Sequence, residues 1–279
     1  MQNVYLMMHQ QLRDTQALAA QVSAAFRGVG FTVCMEDWLQ KEVRDPFPCD
    51  PQTFPMDVIV SVGGDGTLLR ATQTAVKRGV PVLGINVGRI GFLVEIEPER
   101  LGEACIRLRA GDYTIDERMM LDVSLPGKRQ RTALNDVVLS RGGNARLIAV
   151  KAQVGDEPIG RYIADGLIVS TPTGSTGYSL SAGGPIICPE VECILLSPIC
   201  PHSLQHRPIV TDASQVVTLT LDCSPGQSAQ LDVDGQRVDT LTGKQQVTIR
   251  RSAQVTRLIR FGSNSFFHRI RTKLTEWSC

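Results

Sequence analysis

The first half of the chain alternates short apolar runs with longer amphipathic segments. Residues 3–9 form an apolar run that predicts a strand, and residues 12–30 place apolar and small residues at helical spacing before a glycine. Two more apolar runs, 57–62 and 80–86, flank a segment of helical pattern that ends at Gly79. Because short strands that alternate with helices form mainly parallel sheets, this half predicts an α/β domain.

The pattern changes near Asp116, where strand-like runs follow one another and are separated by short turns. Helical spacing is scarce there, so we expect an all-β domain, either a sandwich or a layered sheet. Residues 264–277 return to helical spacing and predict a C-terminal helix that packs back on the first domain. The predicted domains are residues 1–116 together with 257–279, and residues 117–256.

Composition and charge exclude several classes of protein. The chain has 279 residues, of which 42% are hydrophobic and 20% charged, and its formal net charge is +1. These values are typical of a soluble globular protein, and no basic stripe indicates nucleic-acid binding. No apolar run approaches the roughly 20 residues that span a bilayer, and the first residues lack the pattern of a secretory signal. We therefore expect a cytoplasmic protein without a membrane partner.

The eight cysteines are irregularly spaced and include no CxxC pair. In a chain of this length without a secretory signal, that pattern favours free thiols over disulfides. One group of zinc-ligand types, formed by Cys188, Cys193, Cys200, His202 and His206, lacks the paired short spacings of a zinc site. We therefore expect no built-in metal.

A glycine-rich turn at 63–66, with the sequence GGDG, lies between a predicted strand and a predicted helix. Glycines let backbone N–H groups approach a ligand, and the N-terminus of a helix favours an anion, so the turn predicts a phosphate site. Neither the P-loop lysine nor the spacing of the dinucleotide fingerprint is present. A carboxylate beside phosphate is electrostatically unfavourable unless it takes part in the reaction. Asp65 therefore suggests phosphoryl transfer, as a base or as a group that helps to hold Mg²⁺.

A second glycine-rich stretch, residues 165–185, follows a predicted strand and is dense in hydroxyl groups. Such a surface can hydrogen-bond ribose, phosphate and base edges, with Gly174 and Gly177 allowing close approach. The alternative is a polar surface loop with a helix N-cap. Asn135 and Asp136, at the start of another predicted strand, are a weaker signal because Asn-Asp is common in turns.

Together these motifs resemble the NAD kinase family, whose members use ATP to phosphorylate NAD to NADP. The resemblance rests on GGDGT at 63–67, ND at 135–136 and the stretch at 165–185, in the family's order and spacing. Weaker matches lie at 84–93, 201–208 and 233–236. The GGDG element is shared with lipid kinases and phosphofructokinases, whereas the stretch at 165–185 is specific to NAD kinases.

The resemblance implies an N-terminal α/β domain, a C-terminal β-rich domain and NAD in the cleft between them. It implies that Asp65 is catalytic, that Asn135 and Asp136 grip the NAD ribose, and that Phe92 lies beside the adenine. The implied phosphate-binding residues are Gly63, Gly64 and Thr67. The implied NAD-binding residues are Gly66, Arg70, Phe92, Asn135, Asp136, Arg146, Ile163, Asp165, Thr176, Gly177, Tyr178, Ser179, Leu180, Ser181, Cys200 and Gln236.

The resemblance also implies Mg²⁺ carried with the nucleotide, and a homodimer or homotetramer in which part of the dinucleotide loop crosses a subunit interface. Two positions depart from the family pattern. Ile163 stands where many relatives carry a basic residue, so a charge contact from that position is lost. Gly177 replaces the alanine of the common GSTAY sequence, which is a mild change.

Two alternatives remain open from the sequence. A lipid or sphingoid-base kinase of the GGDGT type would need an apolar acyl pocket and has no use for the loop at 176–181. A non-catalytic dinucleotide sensor gains little from a carboxylate such as Asp65 near phosphate. The preferred phosphoryl donor and the use of NADH as an acceptor are also left open.

Overall fold

In the computed structural model the chain forms two compact units, Met1–Glu117 with Thr256–Cys279, and Arg118–Val255. The structure describes residues 1–10, 14–87, 91–143, 146–222, 227–262 and 266–276. Cys223, Cys279 and part of the weak match at 84–93 therefore lie outside the described residues.

Six helices and sixteen strands are named here in chain order. The helices are α1 Thr15–Gly28, α2 Asp37–Val43, α3 Asp65–Arg78, α4 Leu101–Ala110, α5 Tyr178–Ser181 and α6 Phe266–Glu276. The strands are β1 Asn3–Met8, β2 Thr32–Met35, β3 Val58–Gly63, β4 Val82–Asn86, β5 Thr114–Ser124, β6 Arg131–Ala133, β7 Asp136–Ser140, β8 Ile148–Val154, β9 Glu157–Ala164, β10 Gly166–Ser170, β11 Cys193–Ile199, β12 Ile209–Asp212, β13 Val217–Leu221, β14 Ser228–Val233, β15 Gln236–Thr242 and β16 Gln246–Arg260.

The first unit is built on a parallel sheet with strand order β2-β1-β3-β4, and Leu258 of β16 pairs in parallel with Val82. Strands β3 and β4 are buried along their whole length, which explains their nearly continuous apolar sequence. Helix α1 buries Val22 and Phe26 in the core that also contains Leu6. The predicted, mainly parallel α/β domain is confirmed.

The second unit is antiparallel. One sheet has the order β12-β11-β10-β7-β14-β15, and a second ladder joins β9, β8, β13 and the first part of β16. The two sets of strands share one core, to which Leu139 and Val169 contribute from the first and Val150 and Leu219 from the second. This layered arrangement confirms the predicted all-β domain. Its one α-helix in the described residues, α5, has four residues and follows a 3₁₀ helix at Thr173–Thr176.

The C-terminal helix α6 belongs to the first unit, as the sequence predicted. Its contacts differ from the expected apolar face. Phe267 is 69% exposed, whereas Arg269 is buried and donates to the buried carboxylate of Glu95 at 3.3 Å. None of the helices in the described part of the chain has the length and apolar character that a membrane span requires.

The expectation of free thiols is wrong for Cys34 and Cys49, which form a disulfide with a Cα–Cα distance of 5.8 Å. Cys34 lies in β2, and Cys49 lies in the loop between α2 and β3, which the fold brings beside β2. The side chain of Gln40 fixes this approach, since it donates to the Cys49 carbonyl at 3.0 Å and accepts from the Cys49 N–H at 2.9 Å. The free thiols among the described residues are Cys105, Cys188, Cys193 and Cys200.

Candidate active site

The turn between β3 and α3 depends on glycine. Gly63 has φ +151°, and a Cβ at this position would lie 3.0 Å from Cβ of Thr67. The Thr67 side chain is therefore packed beneath the turn, and its Oγ1 is buried without a hydrogen-bond partner among the described residues. Gly64 and Gly66 have open space where a side chain would be. The first turn of the 14-residue helix α3 is thus accessible to an anion at its N-terminus.

The carboxylate of Asp65 is held by three consecutive backbone N–H groups. Oδ2 accepts from Phe92 at 2.8 Å, while Oδ1 accepts from Leu93 at 3.1 Å and from Val94 at 3.4 Å. A side chain at Gly91 would overlap this carboxylate, so only glycine permits the approach. A carboxylate has about four lone-pair sites, two on each oxygen. The three N–H groups occupy both sites of Oδ1 and one of Oδ2, so one lone pair of Oδ2 remains free to accept from a ligand.

Arg70 and Phe92 are held within the first unit. Both terminal nitrogens of Arg70 bond the carboxylate of Glu36, and Nη2 also donates to the Met8 carbonyl at 2.6 Å. This ties α3 to the end of β1. The Phe92 ring is buried, with the Lys273 ammonium 5.1 Å from its centroid, a distance that suits a cation–π contact.

In the second unit, the Asn135–Asp136 pair is fixed by a turn one hundred residues later. Asp234 has φ +48° and accepts from the N–H groups of Leu134 at 2.9 Å and Asn135 at 2.7 Å. Its own N–H donates to the Asp136 carbonyl at 3.0 Å. Asn135 Oδ1 is buried without a hydrogen-bond partner among the described residues. This oxygen is therefore able to accept a hydrogen bond from a ligand hydroxyl.

Burial raises the pKa of Asp136 to about 7, and repulsion from Asp234 and Asp232 adds to the shift. Its side chain is therefore a carboxyl group that changes charge near neutral pH. Perturbed groups of this kind are concentrated at functional sites, although structural clusters also produce them.

The hydroxyl-rich stretch closes over this pair. The Thr171 N–H donates to the Asn135 carbonyl at 2.9 Å, and Thr171 Oγ1 donates to the Leu134 carbonyl at 2.6 Å. A side chain at Gly174 would overlap the Asn135 carbonyl. At Gly177, a Cβ would lie 3.7 Å from Asn135 Nδ2 and 3.9 Å from Asp136 Oδ2. The stretch therefore places its backbone, rather than its side chains, against the pair.

The remaining hydroxyl groups divide into packed and accessible ones. Ser179 is buried and shares a 2.8 Å hydrogen bond with Ser197, so its side chain is held inside the unit. Thr176 is half-buried and donates to the Thr173 carbonyl at 3.2 Å. Tyr178 is 47% exposed, and Ser181 is exposed.

Tyr178 lies in an acidic environment. Partial burial raises the pKa of its phenol, and the thiol of Cys200 and the carboxylates of Asp165 and Asp136 act in the same direction. Asp165 itself accepts from Arg141 Nε at 2.6 Å. The structure therefore places Cys200, Asp165 and Asp136 within electrostatic reach of Tyr178.

The other predicted positions lie at the surface of the second unit. Arg146 and Gln236 are exposed, and Leu180 is half-buried. Ile163 is 38% exposed on β9, and its carbonyl accepts from His202 N–H at 2.8 Å. The described contacts do not join these four residues to the Asn135–Asp136 pair.

Sequence reasoning missed two supporting carboxylates. Asp234 precedes Gly235, and this Asp-Gly pair, which is common in turns, was the available signal. Glu95, which follows the segment that holds Asp65, gave no local signal. No group of three or more His, Cys, Asp or Glu side chains in the described ranges is arranged to hold a metal ion.

Comparison with known proteins decides the family. The ATP-NAD kinase N-terminal domain matches residues 7–113, and the ATP-NAD kinase C-terminal domain matches residues 134–261. The chain belongs to the ATP-NAD kinase family. The NAD kinase of Heliobacterium modesticaldum is 48% identical over 225 residues, which is 79% of each chain. The NAD kinase of Geobacter sp. strain M21 is 42% identical over 257 residues, which is 89% of each.

Solved structures agree with the ATP-NAD kinase fold. An NAD kinase from Archaeoglobus fulgidus in complex with ATP has a TM-score of 0.77 and 26% identity, covering 98% of both chains. A yeast NADH kinase complexed with NADH has a TM-score of 0.88 at 24% identity and covers 99% of this chain and 88% of its own, which supports the fold alone.

Membership of the ATP-NAD kinase family makes the chain an enzyme, a phosphotransferase that phosphorylates NAD with ATP. The predicted family, fold class and function are confirmed. The lipid-kinase and sensor alternatives are not favoured.

Proposed function

We propose that Asp65 is the catalytic carboxylate of a transfer from ATP to the 2′-hydroxyl of the adenosine ribose of NAD. The 2′-oxygen attacks the terminal phosphorus, the bond from that phosphorus to the bridging oxygen breaks, and ADP leaves. Asp65 Oδ2 takes the hydroxyl proton or orients it, because this oxygen retains a lone pair after the three backbone N–H groups are counted. That count is the observation that carries the proposal.

The N–H groups of the turn at Gly64 and Gly66, with the positive end of α3, hold phosphate of the donor in this account. Asn135 and Asp136 form hydrogen bonds with the NAD ribose. A ribose hydroxyl then donates to the buried Asn135 Oδ1, which otherwise has no partner among the described residues. The backbone of the stretch at 174–177, together with Tyr178 and Asp165, completes the grip on the dinucleotide. Positioning and charge stabilisation supply most of the catalysis in phosphoryl transfer.

Mg²⁺ fits this arrangement as a companion of the nucleotide. It keeps several waters and binds through substrate phosphates with one or two carboxylates, so a three-residue protein cage is not required. The described residues supply no such cage, and Asp65 is the carboxylate at the phosphate turn that would face the ion. When bound, Mg²⁺ neutralises charge that develops on the phosphates. We further propose that the enzyme is cytoplasmic and assembles as a homodimer or homotetramer.

A coupled assay of NADP formation tests the cofactor and substrate proposals with purified protein, NAD and a panel of donors. We expect turnover with ATP, its loss after dialysis against a chelator, and its return when Mg²⁺ alone is added. Diacylglycerol offered in place of NAD serves as the acceptor control, and ADP release should stay at background. Activity that depends on zinc retained through dialysis, or ADP release with diacylglycerol alone, would contradict this proposal.

A further inference from the structure

A buried ion cluster lies directly behind the segment that holds Asp65. Glu95 Oε2 accepts from Arg260 Nη1 at 3.1 Å and from Arg269 Nη1 at 3.3 Å, while its Oε1 accepts from the Phe261 N–H at 3.1 Å. Arg260 Nε also donates to Asp116 Oδ2 at 3.0 Å. The side chains of Glu95, Arg260 and Arg269 are 2%, 9% and 9% exposed.

The cluster reaches the catalytic carboxylate through a single residue. Arg260 Nη1 donates to the Leu93 carbonyl at 2.8 Å, and the Leu93 N–H donates to Asp65 Oδ1 at 3.1 Å. On the other side, the Glu95 N–H donates to the Gly84 carbonyl of β4 at 3.0 Å. The segment 91–95 is therefore clamped between β4 and the guanidinium of Arg260.

Stability alone does not account for this arrangement. Burying a charge costs several kcal/mol, and a buried ion pair is often no more stabilising than apolar side chains of similar volume. Such a network does fix the orientation of the groups in it, since each hydrogen bond restrains the position of its partner. Here the fixed partner is the backbone that presents three N–H groups to Asp65.

We propose that Arg260 is a positioning residue of the phosphoryl transfer, which sets the Asp65 carboxylate through Leu93 and is itself oriented by Glu95 and by Arg269 of α6. The C-terminal helix then belongs to the catalytic apparatus although it supplies no reacting atom. The inference rests on the proposed catalytic role of Asp65.

The test compares Arg260→Met and Arg260→Lys with Arg257→Met, in the full-length protein. Arg257 lies three residues earlier on β16 and bonds only the Gly79 carbonyl among the described contacts, so it is a matched control. A displacement of about 1 Å costs about 100-fold in rate, so Arg260→Met should lower kcat about 10- to 100-fold with KM for NAD within about threefold. Arg260→Lys, which keeps a cation and a donor, should recover part of kcat, and Arg257→Met should leave it unchanged.

A double-mutant cycle separates this inference from the proposed function. If Arg260 acts through Asp65, the kcat loss from Arg260→Met should largely disappear in an Asp65→Asn background. A large loss from Asp65→Asn with a fully multiplicative loss from Arg260→Met would overturn the positioning role while the catalytic role of Asp65 stands. A small loss from Asp65→Asn would instead remove the proposed catalytic role of Asp65.

Hydrogen exchange gives a readout that does not depend on activity. In Arg260→Met, the N–H groups of Phe92, Leu93 and Val94 should exchange faster, while those of β1 and β3 keep their protection. Arg257→Met should leave all of them unchanged. Unchanged exchange at 92–94 in Arg260→Met, or a kcat above half of the wild-type value, would overturn the inference.

Discussion

At the scale of single residues, two carboxylates, one in each unit, are held by opposite means. Asp65 accepts three backbone N–H groups, which compensate its negative charge. Asp136 is buried beside Asp234 and Asp232, and burial followed by their repulsion raises its pKa to about 7. A carboxyl group that loses its proton near neutral pH suits a contact with a ribose hydroxyl, because it can donate or accept.

The raised pKa of Asp136 predicts a pH-dependent stability. Its folded pKa lies above the unfolded value, so its contribution is fully present below about pH 4 and is lost as pH rises through about 7. Between pH 5 and pH 7 the loss in the free energy of unfolding corresponds to about two pH units, or on the order of 3 kcal/mol at 1.36 kcal/mol per unit. Asp136→Asn should therefore become more stable relative to wild type by about that amount between pH 5 and pH 8. Urea unfolding of both proteins at the two pH values measures it.

The same stability difference between Asp136→Asn and wild type at both pH values would show that the carboxyl group titrates normally.

At the scale of elements, each of the two units contains one glycine-rich turn whose backbone we propose to face a ligand. The β3–α3 turn does so at the N-terminus of α3, and the stretch after β10 does so over Asn135. Glycine is required where two chain segments approach each other, at Gly91 beside the Asp65 carboxylate and at Gly174 beside the Asn135 carbonyl. A glycine in these motifs therefore indicates close packing of chain segments as well as contact with a ligand.

The stretch after β10 offers a matched pair of substitutions. Gly174→Ala places a Cβ on the Asn135 carbonyl, whereas in Gly177→Ala the nearest atom is the Gly174 oxygen at 3.3 Å, and φ is −96°. A side chain forced into a filled space costs about 1–3 kcal/mol. If that cost falls on the conformation that binds NAD, each 1.4 kcal/mol lowers the affinity about tenfold. Gly174→Ala should weaken NAD binding about tenfold or more by calorimetry, and Gly177→Ala should stay within about threefold. Equal affinities in the two variants would mean that the loop does not position Asn135.

At the scale of the whole molecule, local signals predicted the fold class and the two glycine turns. The alternation of apolar runs gave the parallel sheet, and the hydroxyl-rich stretch gave the specific family match. Helices α2 and α4 were not anticipated. Helix α2 has only seven residues, whereas the ten residues of α4 bury an apolar face at helical spacing that the sequence already contained, namely Leu101, Ala104, Cys105 and Leu108. Short-range pattern carries information about elements, because strands and helices have fixed periods.

Contacts between distant parts of the chain could not be predicted in the same way. Asp234 supports Asn135 across 99 residues, and Arg260 reaches Leu93 across 167. Arg269 of α6 is buried and donates to Glu95. The disulfide of Cys34 and Cys49 depends on a loop that folds back on β2. Each of these follows from packing, which one sequence does not specify locally.

The central claim is that Asp65 carries the chemistry, and paired kinetics on Asp65→Asn test it most directly. Asparagine keeps the size of the side chain but removes the base. Asp57→Asn is the control, because the Asp57 carboxylate in the same unit also accepts backbone N–H groups, from Gln2 at 2.6 Å and Asn3 at 3.0 Å, without lying at the turn. Both variants are compared with wild type for NADP formation and for NAD affinity on folded protein.

General-base catalysis is typically worth about 10²- to 10⁴-fold, so Asp65→Asn should lower kcat at least about 100-fold. NAD affinity should change far less in that variant, since Asn135 and Asp136 remain. Asp57→Asn should keep kcat near the wild-type value. If Asp65→Asn retained more than about a tenth of wild-type kcat, well short of the general-base range, Asp65 would be a support for the segment 92–94 and not the catalytic carboxylate.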